Sequence, residues 1–144
     1  MFSNLNYNCQ LGHDIERDYT NPLYHPQLEI SLNNINKGKN QEAINAAIEK
    51  LKNIDFGSIE ERNSTFTEYL QNGIAVNYLE NNEEKTELVK LIDYENTNNN
   101  DFTVINQWTV KDKAVKRPDV VVFVNGIPLV VIELKSPSNE NTDA

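Results

Sequence analysis

The sequence predicts an α+β domain in which helices come first and a mixed, largely antiparallel sheet of about five strands follows, with the helices packed on it. Three observations carry this reading. Apolar residues between 41 and 73 recur at helical spacing; between 74 and 135 the period falls to two; and the later strands lie too close together for helical crossovers between them. A chain of 144 residues suits one domain with a sizeable core and is short for two, so residues 1–144 are read as a single unit.

Residues 1–40 are rich in Asn, Tyr and turn formers, with only short apolar pieces, and are expected to be irregular apart from a turn of helix around Pro26–Leu32. The segment 41–73 is helical. Ala43, Ile44, Ala47, Ile48 and Leu51 form one face of a helix from Gln41 to Lys52. Ser58 with Glu61 three positions on makes a capping box, Phe66, Tyr69 and Leu70 share the next helical face, and Gly73 stands where that helix would stop. The segment 74–135 is read as sheet. Ile74–Leu79, Thr86–Tyr94 and Phe102–Val110 are strands separated by Asn-rich and Glu-rich turns. Val120–Val124 and Ile127–Ile132 are almost continuously apolar, as in strands covered on both faces, and Asn125-Gly126 between them signals a hairpin turn. Residues 136–144 have the composition of a disordered tail, and no internal repeat is present.

A formal charge of −9 and a pI near 4.7 argue against nucleic-acid binding through overall charge, because phosphate neutralisation needs clustered Lys and Arg. Any DNA contact must be local. Lys111, Lys113, Lys116 and Arg117, interrupted by Asp112, form one such cluster; its alternative is a solvated loop. The single Cys9 excludes an intrachain disulfide and any multi-cysteine zinc site, fits a reducing cytosol, and is read as a packing residue. His13 and His25 lack neighbouring ligand spacing. With no apolar run of membrane-spanning length and no signal-peptide pattern, a soluble cytoplasmic protein is expected.

The chemistry gathers at the last hairpin. Glu133 and Lys135 are two apart on a strand and so share a face, while Leu134 points to the other. Whether Asp119 joins them depends on register. A tight Asn125-Gly126 loop pairs Val124 with Ile127 and leaves Asp119 opposite Ile132, on the wrong face. A longer loop, or a bulge near Pro128, shifts the register by one and brings both acids together, so a bulged hairpin is expected. Two carboxylates with a backbone carbonyl nearby suit Mg²⁺ or Mn²⁺, which lower the pKa of bound water and stabilise charge on an attacked phosphate. An adjacent ammonium, that of Lys135, would orient the nucleophile or neutralise the transition state. Phosphodiester hydrolysis needs this set. The bland alternative is a surface Asp that caps a turn beside a weak, exposed Glu–Lys pair.

Pro118-Asp119 followed by Glu133-Leu134-Lys135 is similar to the PD-(D/E)xK nuclease signature. Its surroundings extend the likeness: Leu91-Ile92-Asp93-Tyr94, Asn100-Asp101-Phe102, Val104 through Val110, Arg117, and Phe123 through Pro137. Together they resemble the amino-terminal nuclease domain of the restriction subunit (HsdR) of type I restriction-modification enzymes, continuously from about Asn63 to Asn141. The resemblance implies a restriction-endonuclease-like core that cuts double-stranded DNA after ATP-driven translocation by other domains. ATP would serve only domains absent from this chain, and the partners would be separate methylation and specificity subunits. It assigns Asp119, Glu133 and the Leu134 carbonyl to the metal, Mg²⁺ or alternatively Mn²⁺, and makes Asp119, Glu133 and Lys135 catalytic. Lys111, Lys113, Lys116 and Arg117 remain the candidates for DNA contact.

Two departures qualify the match. The family carries an early helix with a further acid, and Leu5–Ile15 looks like the segment that follows it; a later helix with a Gln and a Tyr lies beyond the motif. A fragment incomplete at both ends is therefore expected, weakly active or inactive by itself. Glu16, Glu61 and Glu68 are candidates for the missing acid, and each is equally read as a solvated or capping residue. Two other functions stay open: a different nuclease of the superfamily, for repair or junction resolution, and a noncatalytic docking module that uses its acidic surface.

Overall fold

The computed structural model describes residues 5–135. In chain order its elements are β1 (Asn8–Leu11), α1 (His25–Ile35), α2 (Gln41–Lys52), α3 (Ile59–Asn72), β2 (Ile74–Glu80), β3 (Glu83–Val89), β4 (Phe102–Asn106), β5 (Val110–Lys111), β6 (Val115–Lys116), β7 (Val120–Val124) and β8 (Ile127–Ile132). The α+β class holds, with a mixed sheet of four strands in the order β1-β4-β7-β8.

Helices α2 and α3 lie where the apolar spacing places them. Asn40 caps α2 by accepting from the Glu42 N–H, and α2 buries Ala43, Ile44, Ala47, Ile48 and Leu51. Ser58 and Glu61 close the capping box of α3, and Gly73 ends it at φ +81°. These helices share one core with Leu28 and Leu32 of α1, Ile74, Val76 and Val89 of the β2–β3 hairpin, Leu91 and Ile127. A second core joins Ile105, Trp108, Val121 and Phe123 to Ile15, Tyr24 and Val110.

Several expectations are corrected. Residues 1–40 are not irregular throughout: β1 runs parallel to β4, Asn8 opposite Thr103 and Leu11 opposite Asn106, and α1 makes a full helix. Pro26 falls in the first turn of α1, where its missing N–H costs nothing, and Leu28 and Leu32 are completely buried. The expected five-strand sheet divides. Antiparallel β2 and β3 form a separate two-stranded sheet, and β5 with β6 forms another. The stretch from Phe102 to Val110 is not one strand, because Gln107 adopts φ +58° and turns Trp108 into the second core. Both faces are not covered along the last hairpin. Val121, Val122 and Phe123 of β7 are buried, whereas β8 is an edge of the described sheet with Val130 and Val131 48% and 61% exposed. Cys9 is exposed on β1 and is no packing residue. The tail at 136–144 lies outside the described residues.

The β7–β8 turn is fixed from both sides. Asn125 and Gly126 both have positive φ, 52° and 77°, as a two-residue hairpin turn with right-handed twist requires. A Cβ on Gly126 would stand 2.4 Å from the Leu28 nitrogen, so only glycine lets α1 sit this close. The Asn125 side chain is fully buried; it donates to the Leu91 carbonyl at 2.9 Å and to Asn100 Oδ1 at 2.8 Å, and accepts from the Asp101 N–H at 2.8 Å.

Candidate functional site

From this turn the ladder runs Val124 to Ile127 and Phe123 to Pro128, and then jumps to Val122 opposite Val130, leaving Leu129 as the extra residue of a bulge. The expected bulged hairpin is present. Pairing continues through Val121 with Val131 to Val120 with Ile132. Continued one step past the end of the ladder, this register sets Asp119 level with Glu133. Asp119 reaches across, its Oδ2 accepting from the Leu134 N–H at 2.7 Å. Its backbone carbonyl is held from the other side by the Gln107 N–H at 2.9 Å. Asp119 is half-buried, while Glu133, Leu134 and Lys135 are exposed.

The structure thus brings Asp119 to the segment just past β8 that carries Glu133 and Lys135. One Asp119 oxygen is engaged by the backbone, which orients the carboxylate and leaves its second oxygen for a cation. Among the described residues no group of three His, Cys, Asp or Glu side chains converges on a metal position. The donor set here is different: two carboxylates and a carbonyl, all hard oxygens, which fits Mg²⁺ because that ion keeps several of its waters.

The four basic candidates lie together. Between β4 and β7 the chain leaves the sheet as a short arm, with Lys111 on β5, Lys113 in the connection, Lys116 on β6 and Arg117 following, all exposed. The arm is rooted at Asp119 by the Gln107 hydrogen bond. Glu16, a candidate for the missing acid, is exposed and lines a cleft of about 780 Å³ with Gln10, Asp14, Tyr24 and Asn106. That cleft opens at the end of β1 and β4, the same sheet end as Asp119 but on the β1 side. Glu61 is engaged otherwise, since its Oε2 accepts from the Ser58 N–H at 2.7 Å in the α3 cap. Glu68 stands exposed on α3.

Sequence reasoning missed Arg17. Its guanidinium carbon lies 3.4 Å from the centroid of the Trp108 ring and 4.6 Å from that of Tyr19, and Nη2 donates to the Thr109 carbonyl. Burial pulls the Arg17 pKa below its ordinary value, an effect opposed by Tyr19 and Asp18. An isolated arginine in a polar stretch carries no periodicity, so no sequence signal marks it.

Fold and site together define an α+β domain with acids and a lysine at the end of a bulged hairpin and a cationic arm rooted beside them. Over residues 1–144 the chain matches the family model for the type I restriction enzyme R protein N terminus. It is 37% identical over 128 residues to the type I restriction enzyme HindI endonuclease subunit of Haemophilus influenzae, a match covering 88% of this chain and 12% of that protein. To a Methanocaldococcus jannaschii protein, named provisionally as the type I restriction enzyme MjaIXP endonuclease subunit, it is 36% identical over 149 residues, covering 96% of this chain and 14% of that one. The chain belongs to the type I restriction enzyme R protein N-terminal family. It spans only 12% and 14% of the length of these two relatives. No solved structure matches it.

Proposed function

We propose that this domain is the endonuclease module of a type I restriction system, with a PD-(D/E)xK core that hydrolyses phosphodiester bonds of double-stranded DNA with the help of Mg²⁺, or of Mn²⁺ in its place. One observation carries the reading: the bulge at Leu129 puts Asp119 level with Glu133, and the Leu134 N–H holds the Asp119 carboxylate there. The alternative register would separate the two acids. Family membership supports the same reading, because both relatives are named as endonuclease subunits.

In this reading Asp119, Glu133 and the Leu134 carbonyl hold the ion. When bound, the ion supplies Lewis acidity at the attacked phosphate and eases deprotonation of a water. Lys135, two residues past Glu133, places its ammonium beside the reacting phosphate, orienting the attacking water and offsetting the charge that develops. Half-burial of Asp119 lowers the local dielectric and strengthens both effects. Lys111, Lys113, Lys116 and Arg117 contact backbone phosphates on the flank of the site. The remaining parts of the parent protein would use ATP to move DNA, and methylation and specificity subunits would direct it to its sites. No helix of the described residues is long and apolar enough to cross a membrane.

Calorimetric titration with Mn²⁺ tests the site. The native chain is expected to bind and Asp119→Ala to give no heat. Silence from both chains would favour a docking module that keeps the fold without the chemistry.

A further inference from the structure

The basic arm has little to hold it. Strands β5 and β6 have two residues each and share two rungs, and every residue from Lys111 to Arg117 is exposed. A two-stranded hairpin of this kind is marginal in water even when much longer. Its direction must come from anchors outside it. The root at Gln107 and Asp119 fixes where the arm leaves the sheet and leaves its swing undefined.

The second anchor is the segment 17–22. Arg17 lies over Trp108 and donates to the Thr109 carbonyl, immediately before β5. Two residues on, the Tyr19 carbonyl accepts from the Lys111 N–H at 2.7 Å, and the Lys111 ammonium lies 5.0 Å from the Tyr19 ring. Trp108 is itself immobilised: its Nε1–H donates to the Pro22 carbonyl at 3.2 Å, and its ring meets Phe123 of β7 edge-on at 4.8 Å. The guanidinium therefore links the arm, through Trp108, to the strand that begins next to Asp119. This placement costs free energy, because Arg17 Nε is buried without an acceptor. An aliphatic side chain would fill the same space without that cost. A planar cation, unlike one, can stack on indole and donate to a carbonyl at the same time.

We propose that Arg17 is a positioning residue for DNA: its stack on Trp108 and bond to Thr109 aim the cationic arm along the duplex that the Asp119 site cuts. The inference rests on the reading of the arm as a phosphate contact. Arg17 itself need touch no DNA, and a lysine there would keep the charge and lose the function.

The test uses the whole chain and the variant Arg17→Lys. Hydrogen exchange is expected to quicken at Lys111 and across 112–117, and the emission of Trp108, the single tryptophan, is expected to change. Mn²⁺ heat should stay as in the native chain. Anisotropy with a labelled duplex should show Lys113→Ala weakening the native chain clearly and the lysine variant barely, a coupling on the order of tenfold. Unchanged exchange at Lys111 overturns the proposal, because the stack then holds nothing. Additive losses overturn it as well, since Arg17 would be acting through a contact of its own. Should Lys113→Ala leave binding of the native chain untouched, the reading of the arm fails and takes the DNA role with it, a result distinct from either of those. If Arg17→Lys unfolds, Tyr19→Ala removes the second ring against both cations and is judged by the same exchange and coupling measurements.

Discussion

Asn125 shows how much one side chain can decide. Its dihedral angles suit the turn, and in addition its buried amide holds three separate backbone and side-chain partners around Leu91, Asn100 and Asp101. Asn125→Ala would keep the volume small but strand those partners in a dry interior. A loss of about 3 kcal/mol is expected, within the range for several buried groups left unpaired, and urea unfolding of the variant would measure it. The sequence made the turn legible through Asn-Gly alone. It gave no hint that the asparagine faces inward, because its partners lie at residues 91–101, and only the folded chain brings them near.

At the level of elements, register governs the chemistry. Glu133 comes level with Asp119 because Leu129 is extra, and a strand alternates faces at every residue. Inserting a single valine after Val131 is expected to abolish Mn²⁺ heat while thermal unfolding stays cooperative; retained heat would show that the two acids need not lie level. This feature was readable beforehand, since only a bulge or a longer loop could unite the acids. Helices α2 and α3 were equally readable, each from its regular apolar face and α3 also from the Ser58–Glu61 capping box. Strand β1 was not. Asn8, Cys9, Gln10 and Leu11 alternate polar with apolar, but over four residues with no β-branched or aromatic side chain, too little to mark a strand until β4 offers a parallel edge. The division between sheets was hidden too: the strand expected at Thr86–Tyr94 lies instead at Glu83–Val89, whose Glu-rich start reads as a turn, and no local pattern names the neighbours of β2 or β3.

Across the molecule, charge is sorted. Glu80, Glu83, Glu84 and Glu87 gather on the β2–β3 hairpin, whereas the arm from Lys111 to Arg117 is cationic, so an acidic chain can still present a basic edge. Four carboxyl groups are held below their ordinary pKa values, one of them Glu60, which accepts from its own backbone N–H and the Ser58 hydroxyl in the first turn of α3. Asp18 accepts from the side chain and backbone of Thr20, Glu80 from Lys85 and Asn40, and Asp93 from the Asn96 backbone and the Asn99 side chain. Such groups bind a proton more readily once unfolded. Their contribution is complete above the unfolded values, roughly pH 4, and is lost as the pH falls through the depressed folded ones. Melting temperature should therefore hold level from neutrality to about pH 5 and drop below about pH 4. A melting temperature that stays level well below about pH 4 would show that these hydrogen bonds add nothing to stability.

The parallel pairing of Asn8–Leu11 with Thr103–Asn106 has a consequence for biosynthesis. During translation the opening strand emerges first, yet its partner is made only after three helices and a hairpin have left the ribosome. Until then β1 can contribute nothing, and the sheet that frames the acids closes late, when the two ends of a long loop finally meet.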